Sequence, residues 1–235
     1  MILSLVPGHD LPAAFYAPFC ARMREREFDT QAIDLPALAW PGLVAHVCDA
    51  IAARRSTTLI AHSLGGLVAW LAAARAPAPL ERLVLVEPAI MPSRWLARLF
   101  SVHYRQRVVE GDRARFDNDT GLFRRVADLS RYPRAAIEQH LSARKRTDPA
   151  YAATLFAALP ALYPLPRVAL PTLIVTGAET GHRSRWLQRG LRRRLQATRT
   201  VTLENAAHWL FNEQDAALAE AIAAFIQPSC SQRLA

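Results

Sequence analysis

The chain has only three cysteines in 235 residues: Cys20, Cys48 and Cys230. They are too few and too scattered for a disulfide framework or a thiolate zinc site, and a reducing, cytoplasmic setting is the expectation that fits. No run of about 18 apolar residues is free of charge, so no membrane-spanning helix is expected. The apolar start, MILSLVP, lacks both a basic leading region and a small-residue cleavage site. It is read as a strand, not as a secretion signal. There is no Gly-rich phosphate loop, no dinucleotide fingerprint and no metal-type spacing of His, Cys, Asp or Glu, so no metal or cofactor is implied. Internal repeats and low-complexity stretches are absent, and the 51% apolar content excludes a disordered chain.

Lysine is nearly missing as well. Lys145 is the sole lysine among 29 basic residues, against 20 acidic ones, for a net charge of +9. Residues 88–167 carry 14 basic and 7 acidic side chains, and residues 180–203 carry 7 arginines and no acid. The rest of the chain is mildly acidic. Such a distribution reads either as ordinary solvated helix faces or as a surface for an acidic partner. Nucleic acid is a poor candidate, because the basic stretches lack a binding motif or an interleaved aromatic platform.

What is present is a rhythm. Short apolar strand patterns at residues 2–6, 28–35, 57–62, 80–86, 172–176 and 200–204 alternate with helical patterns at 12–26, 41–54, 64–75, 184–196 and 215–226. Apolar strands separated by helices predict an α/β fold with a mostly parallel, doubly wound sheet covered on both faces. Residues 88–167 break the rhythm with several helical patterns and no convincing strand. The expected organisation is therefore a core of residues 1–87 and 168–235 with an inserted helical lid at 88–167. Trp95, Leu96, Leu99, Phe100, Tyr104, Phe116, Phe123, Leu155 and Phe156 are expected to wall an apolar pocket under that lid, with Trp95, Phe123 and Trp209 as substrate contacts.

The segment Ala61-His62-Ser63-Leu64-Gly65-Gly66 follows a predicted strand and opens a predicted helix. That is the context of a nucleophile elbow, where small residues at 61 and 65 leave room for a sharp turn and the helix N-terminus faces an anion. From the residues alone, the segment also reads as a Gly-rich turn holding an ordinary serine. His208 lies at a strand-to-loop exit near the C-terminus and reads either as a polar loop residue or as the base that a serine nucleophile needs.

Taken together, the chain resembles the α/β-hydrolase superfamily over nearly its whole length. LVPGHD is similar to the superfamily's oxyanion loop, AHSLGG to its nucleophile elbow, and RLVLVEP, TLIVTGAE and NAAHWLFNEQ to its last strands and catalytic-histidine turn. The match is to the compact members, and Ala61 and Pro7 replace the usual Gly and His. The resemblance implies Ser63 as nucleophile and His208 as general base, with Leu64 and His9 supplying oxyanion N–H groups. The acid stays open. Thr180 stands where the family usually has Asp, which leaves Glu87 at the end of the fourth strand or Glu179 in the later turn. The implied activity is hydrolysis of a carboxylic ester or thioester, and an acidic acyl carrier protein would suit the basic segments. Alternatives are a lyase or lyase-like synthase using the triad as acid/base, or a binding protein on this fold. Epoxide hydrolases and dehalogenases of this kind carry Asp at the nucleophile position, so Ser63 disfavours both.

Overall fold

A computed structural model describes residues 1–75, 78–108, 133–146, 148–180, 190–195 and 197–227. Among these residues six strands form one sheet: β1 (Ile2–Val6), β2 (Asp29–Ala32), β3 (Thr58–His62), β4 (Arg82–Val86), β5 (Thr172–Gly177) and β6 (Thr198–Leu203). Their order is β2-β1-β3-β4-β5-β6, and every pairing is parallel. The four inner strands are buried almost throughout while β2 and β6 carry exposed positions, as expected for edges.

Side chains alternate between the two faces. Leu59, Ala61, Leu83, Leu85 and Ile174 pack beneath α2 (Trp40–Arg54) and α3 (Leu64–Ala74). Ile60, Val84, Val86, Leu173 and Val175 pack on the opposite face against α1 (Ala17–Glu25) and a C-terminal helix, Asp215–Ile226. That helix meets α1 through an Arg22–Asp215 ion pair at 2.7 Å.

Between β4 and β5 the described residues form helices and no strand: α4 (Arg94–Val108), α5 (Arg134–Arg146) and α6 (Pro149–Ala158). Helix α6 starts cleanly because Asp148 accepts from the Ala150 N–H and Pro149 occupies its first turn. Two buried indoles tie this segment to the core, Trp40 donating to the Leu155 carbonyl at 2.7 Å and Trp70 to that of Pro166 at 2.9 Å. The short α7 (Leu210–Glu213) and the long α8 (Asp215–Ile226) end the described chain.

Residues 109–132 of the expected lid and most of the predicted helix at 184–196 lie outside the described residues. Strand β2 is shorter than its predicted 28–35, because pairing with β1 stops after Ala32. The predicted helix at 12–26 begins as a 3-10 turn, Ala13–Tyr16, before α1 proper. Among the described residues no helix is long and apolar enough to cross a membrane.

Candidate active site

The chain runs outward from β1 to β2, then returns across β1 to β3 on its other side. The connections leaving the ends of β1 and β3 therefore diverge and open a crevice, the usual place for a ligand in such a sheet. Both of the loops singled out from sequence start there, at residues 7–12 and at Ser63.

Ser63 has φ 50° and ψ −122°, a conformation that side chains other than glycine rarely adopt. It is held there from several sides. Its N–H donates to the Val86 carbonyl at 3.1 Å, and its own carbonyl accepts from the Gly66 and Ala89 N–H groups. A β-carbon on Gly65 would lie 2.1 Å from the Pro7 carbonyl oxygen, so only glycine lets the loop after β1 approach the elbow so closely. As the first residue of α3, Leu64 has an N–H with no acceptor inside its own helix.

His208 approaches from the other side of the crevice. Its Nε2 stands 3.1 Å from the Ser63 Oγ. The turn that carries it is fixed by the Ala207 N–H donating to the Glu213 carboxylate, and by Asn212 and Glu213 N–H groups donating to the Trp209 carbonyl. Gly177, the last residue of β5, makes room for this turn. A β-carbon there would meet the Ala206 and Ala207 carbonyl oxygens at 2.3 and 2.4 Å.

Behind His208, its Nδ1 lies 3.6 Å from Glu87 Oε2, an ion-pair distance longer than a hydrogen bond. Glu87 is 7% exposed and has φ 44°. Its other oxygen accepts from the Gly177 N–H at 2.7 Å and lies 3.1 Å from the Thr180 hydroxyl. The threonine at the position where the family usually has Asp thus lies beside Glu87, and its hydroxyl also reaches the Gly177 carbonyl at 2.7 Å. Glu179 sits exposed in the 3-10 turn Ala178–Thr180, its N–H donating to the Ala206 carbonyl. Of the two candidate acids, Glu87 is the one brought to the histidine.

His62, the residue before the serine, is wholly buried, and desolvation pushes its pKa well below the ordinary imidazole value. Its Nδ1 lies 2.8 Å from the Tyr16 hydroxyl and its Nε2 2.9 Å from the His208 carbonyl oxygen. Nothing in the sequence singles out Tyr16 as part of the site. No local signal marks a tyrosine inside a helical pattern as the partner of a histidine 46 positions away.

A cavity of about 410 Å³ opens beside the elbow, with Leu64 but neither Ser63 nor His208 in its lining. Gly8, His9, Leu64 and Gly65 form one wall, and Tyr151 and Leu155 of α6 another. Asp10, Asp34, Arg146 and Asp148 also line it, so this cavity is of mixed character, and of the residues expected to wall an apolar pocket Leu155 alone is in its lining. A second cavity of about 300 Å³, lined by Trp40, Ala158 and Leu162, shares Tyr151 and Leu155 with the first. His9 faces Phe156 edge-on at 5.2 Å and pairs with Asp10 at 3.3 Å.

Two of the expected substrate contacts stand elsewhere. Trp95 is 65% exposed in a surface depression with Arg94 and Arg98, apart from the elbow. Trp209 is 2% exposed and packs against Phe15 and His140, because the short α7 turns it into the core as the chain leaves His208. Phe123 lies outside the described residues. Among the described residues no cluster of His, Cys, Asp and Glu is arranged to hold a metal ion.

The profile of the alpha/beta hydrolase family matches residues 5–221. Several solved structures are similar along almost the whole chain. MenH from S. aureus has a TM-score of 0.77 at 18% identity, covering 96% of this chain and 93% of its own. An esterase, EaEST, from Exiguobacterium antarcticum has a TM-score of 0.76 at 14% identity, with 96% and 91% covered. Epoxide hydrolase I of potato (Solanum tuberosum) has a TM-score of 0.72 at 15% identity, with 97% and 93% covered. Likeness at these identities is likeness of fold. No curated protein matches the chain by sequence.

Proposed function

The chain belongs to the alpha/beta hydrolase family, and we propose that it hydrolyses a carboxylic ester or thioester through an acyl-enzyme on Ser63. The observation that carries this reading is the 3.1 Å approach of His208 Nε2 to the Oγ of a serine held at φ 50°. His208 takes the hydroxyl proton as Ser63 attacks the carbonyl carbon. The N–H groups of Leu64 and His9 receive the oxyanion, and His208 then returns the proton to the departing oxygen or sulfur. The same histidine activates the water that releases the acid. Glu87, behind Nδ1, holds the imidazole in the tautomer that leaves Nε2 free to accept.

The leaving group must point to His208, because that residue protonates it. The acyl group then extends the opposite way, into the mixed cavity beside Leu64 and on toward the apolar one beyond Leu155. A serine at the elbow separates this reading from epoxide opening, for which the family resemblance implies Asp. The concentration of arginine in residues 88–167 and 180–203 supports a finer version, in which the acyl group arrives on an acidic carrier protein.

One assay panel tests these points. The purified chain is given a fluorophosphonate, p-nitrophenyl esters of graded length, and a carrier-linked thioester at low and high salt. Ser63→Ala is expected to lose both labelling and turnover, by roughly 10⁴–10⁶ in kcat. Retention of a tenth of the activity would remove Ser63 from the mechanism. Labelling without turnover of any ester would favour the lyase alternative, and no labelling a binding protein. Carrier-linked turnover that is indifferent to salt would leave the arginines without a partner.

A further inference from the structure

A buried chain of hydrogen bonds runs behind the site and joins the oxyanion loop to the histidine turn. The Gly8 N–H donates to the Tyr16 hydroxyl at 2.8 Å. Because that oxygen already accepts, its own proton is free to go to His62 Nδ1, 2.8 Å away. The remaining imidazole proton then sits on Nε2 and donates to the His208 carbonyl at 2.9 Å. The opposite tautomer would leave the tyrosine proton without its acceptor here and set the Nε2 lone pair against a carbonyl oxygen. Each donor thus has one acceptor, and the direction of the chain is unique.

Tyr16 and His62 are both 0% exposed, so water does not substitute for a missing link. Aromatic walls close the space around them. Phe211 stacks edge-on against Tyr16 at 4.9 Å and against His62 at 5.3 Å, and Phe15 meets Tyr16 at 5.1 Å. Burial keeps the imidazole neutral, which preserves the acceptor at Nδ1. The strand pleat explains the meeting: His62 lies two residues after Ile60 and so points to the same sheet face, where α1 and its preceding turn pack.

We propose that Tyr16 and His62 are positioning residues that set the distance between the oxyanion donor and the catalytic base. Gly8 immediately precedes His9, and the His208 carbonyl belongs to the base itself, so the two ends of the chain are the two halves of the machinery. This rests on the ester-hydrolase reading above. Ground-state binding does not need both halves in register, but the tetrahedral transition state does. A small misplacement is then felt in kcat and spares KM.

The test compares wild type, Tyr16→Phe, His62→Asn and a packing control, Phe19→Leu. Phe19 stacks on Phe211 at 4.9 Å on the same sheet face and makes none of these hydrogen bonds. Tyr16→Phe is expected to lower kcat by roughly tenfold to a hundredfold with KM within about twofold. Inhibition by a trifluoromethyl ketone, which mimics the tetrahedral species, should weaken in proportion to kcat/KM. Phe19→Leu, with a comparable loss of thermal stability, should keep its kcat. Equal kcat in the two variants, or a rise in KM alone, overturns the proposal. If Tyr16→Phe does not fold, His62→Asn decides by the same constants, since it can still accept from Tyr16 but is too short to reach the His208 carbonyl. A wild type that neither turns over an ester nor labels at Ser63 brings down the hydrolase reading and this inference with it. A labelled, active wild type with unaffected variants brings down this inference alone.

Discussion

At the scale of single residues, the site is built from conformations that cost free energy. Ser63 and Glu87 both have positive φ, 50° and 44°, and neither is glycine. Each such residue costs about 1–3 kcal/mol and persists only where its surroundings enforce it. The enforcement is visible in the bonds from Ser63 to Val86 and Ala89 and from the Glu87 N–H to the Val175 carbonyl. Strain held in this way aims both side chains at His208. The two side-chain oxygens of Glu87 serve different partners: one accepts from the Gly177 N–H, and the other faces the histidine. Glu87→Gln is expected to cut kcat by up to about 10⁴, because the amide can support the wrong imidazole tautomer. Glu179→Gln, altering an exposed turn residue, should leave kcat within about twofold. Steady-state kinetics of the two purified variants checks this, and the reverse order would move the acid to Glu179.

At the scale of elements, two glycines decide how closely four segments approach one another in pairs. Gly65 admits the loop after β1 to the elbow, and Gly177 admits the histidine turn to the end of β5. Both limits are set by backbone oxygens, which cannot swing aside as a side chain would. Gly65→Ala should therefore displace the loop carrying Gly8 and His9. The expected cost is about 1–3 kcal/mol of stability by urea unfolding, as for other overpacked sites. A loss of kcat should come with it, because the oxyanion N–H moves. An alanine variant with wild-type stability and kcat would show that the loop has slack at Pro7. Helix α3 is apolar nearly throughout because it is buried from Leu64 to Ala73 with few interruptions.

At the scale of the whole molecule, burying His62 neutral ties global stability to pH. The unfolded chain binds a proton at this residue below about pH 6.5, whereas the native state, whose imidazole pKa is pushed down by desolvation, does not. Stability from this group is complete above pH 6.5. It falls as the pH drops from there toward the depressed native value, by at most about 1.4 kcal/mol per pH unit. The ring faces Tyr16 and His208, and the proximity of His208 lowers its pKa further in the same direction. Thermal unfolding of wild type and His62→Gln from pH 7.5 to 5 should show the wild type losing its advantage on acidification. A constant gap between the two melting temperatures would mean that His62 is already protonated in the native state or remains unprotonated in the unfolded one.

Some of this was readable along the chain. Apolar runs too short for helices and flanked by helical periodicity determined a parallel sheet, since only strands covered on both faces bury such runs. The small residues around Ser63 marked the sharp turn, because nothing larger fits beside it. The sequence could not choose between Glu87 and Glu179, as both lie at the ends of adjacent strands. Side-chain direction alone separates them, and that depends on the backbone angle at Glu87 and on the donors at Gly177 and Thr180. Trp209 is an expected substrate contact, yet a single helical turn after it sends it into the core. The carboxylates in the cavity come from the ends of distant segments, Asp34 after β2 and Asp148 before α6, and only packing brings them together. Tyr16 and His62 show the same division most plainly. Period and propensity are local properties, whereas a hydrogen bond across 46 residues exists only once the sheet has placed both side chains on one face.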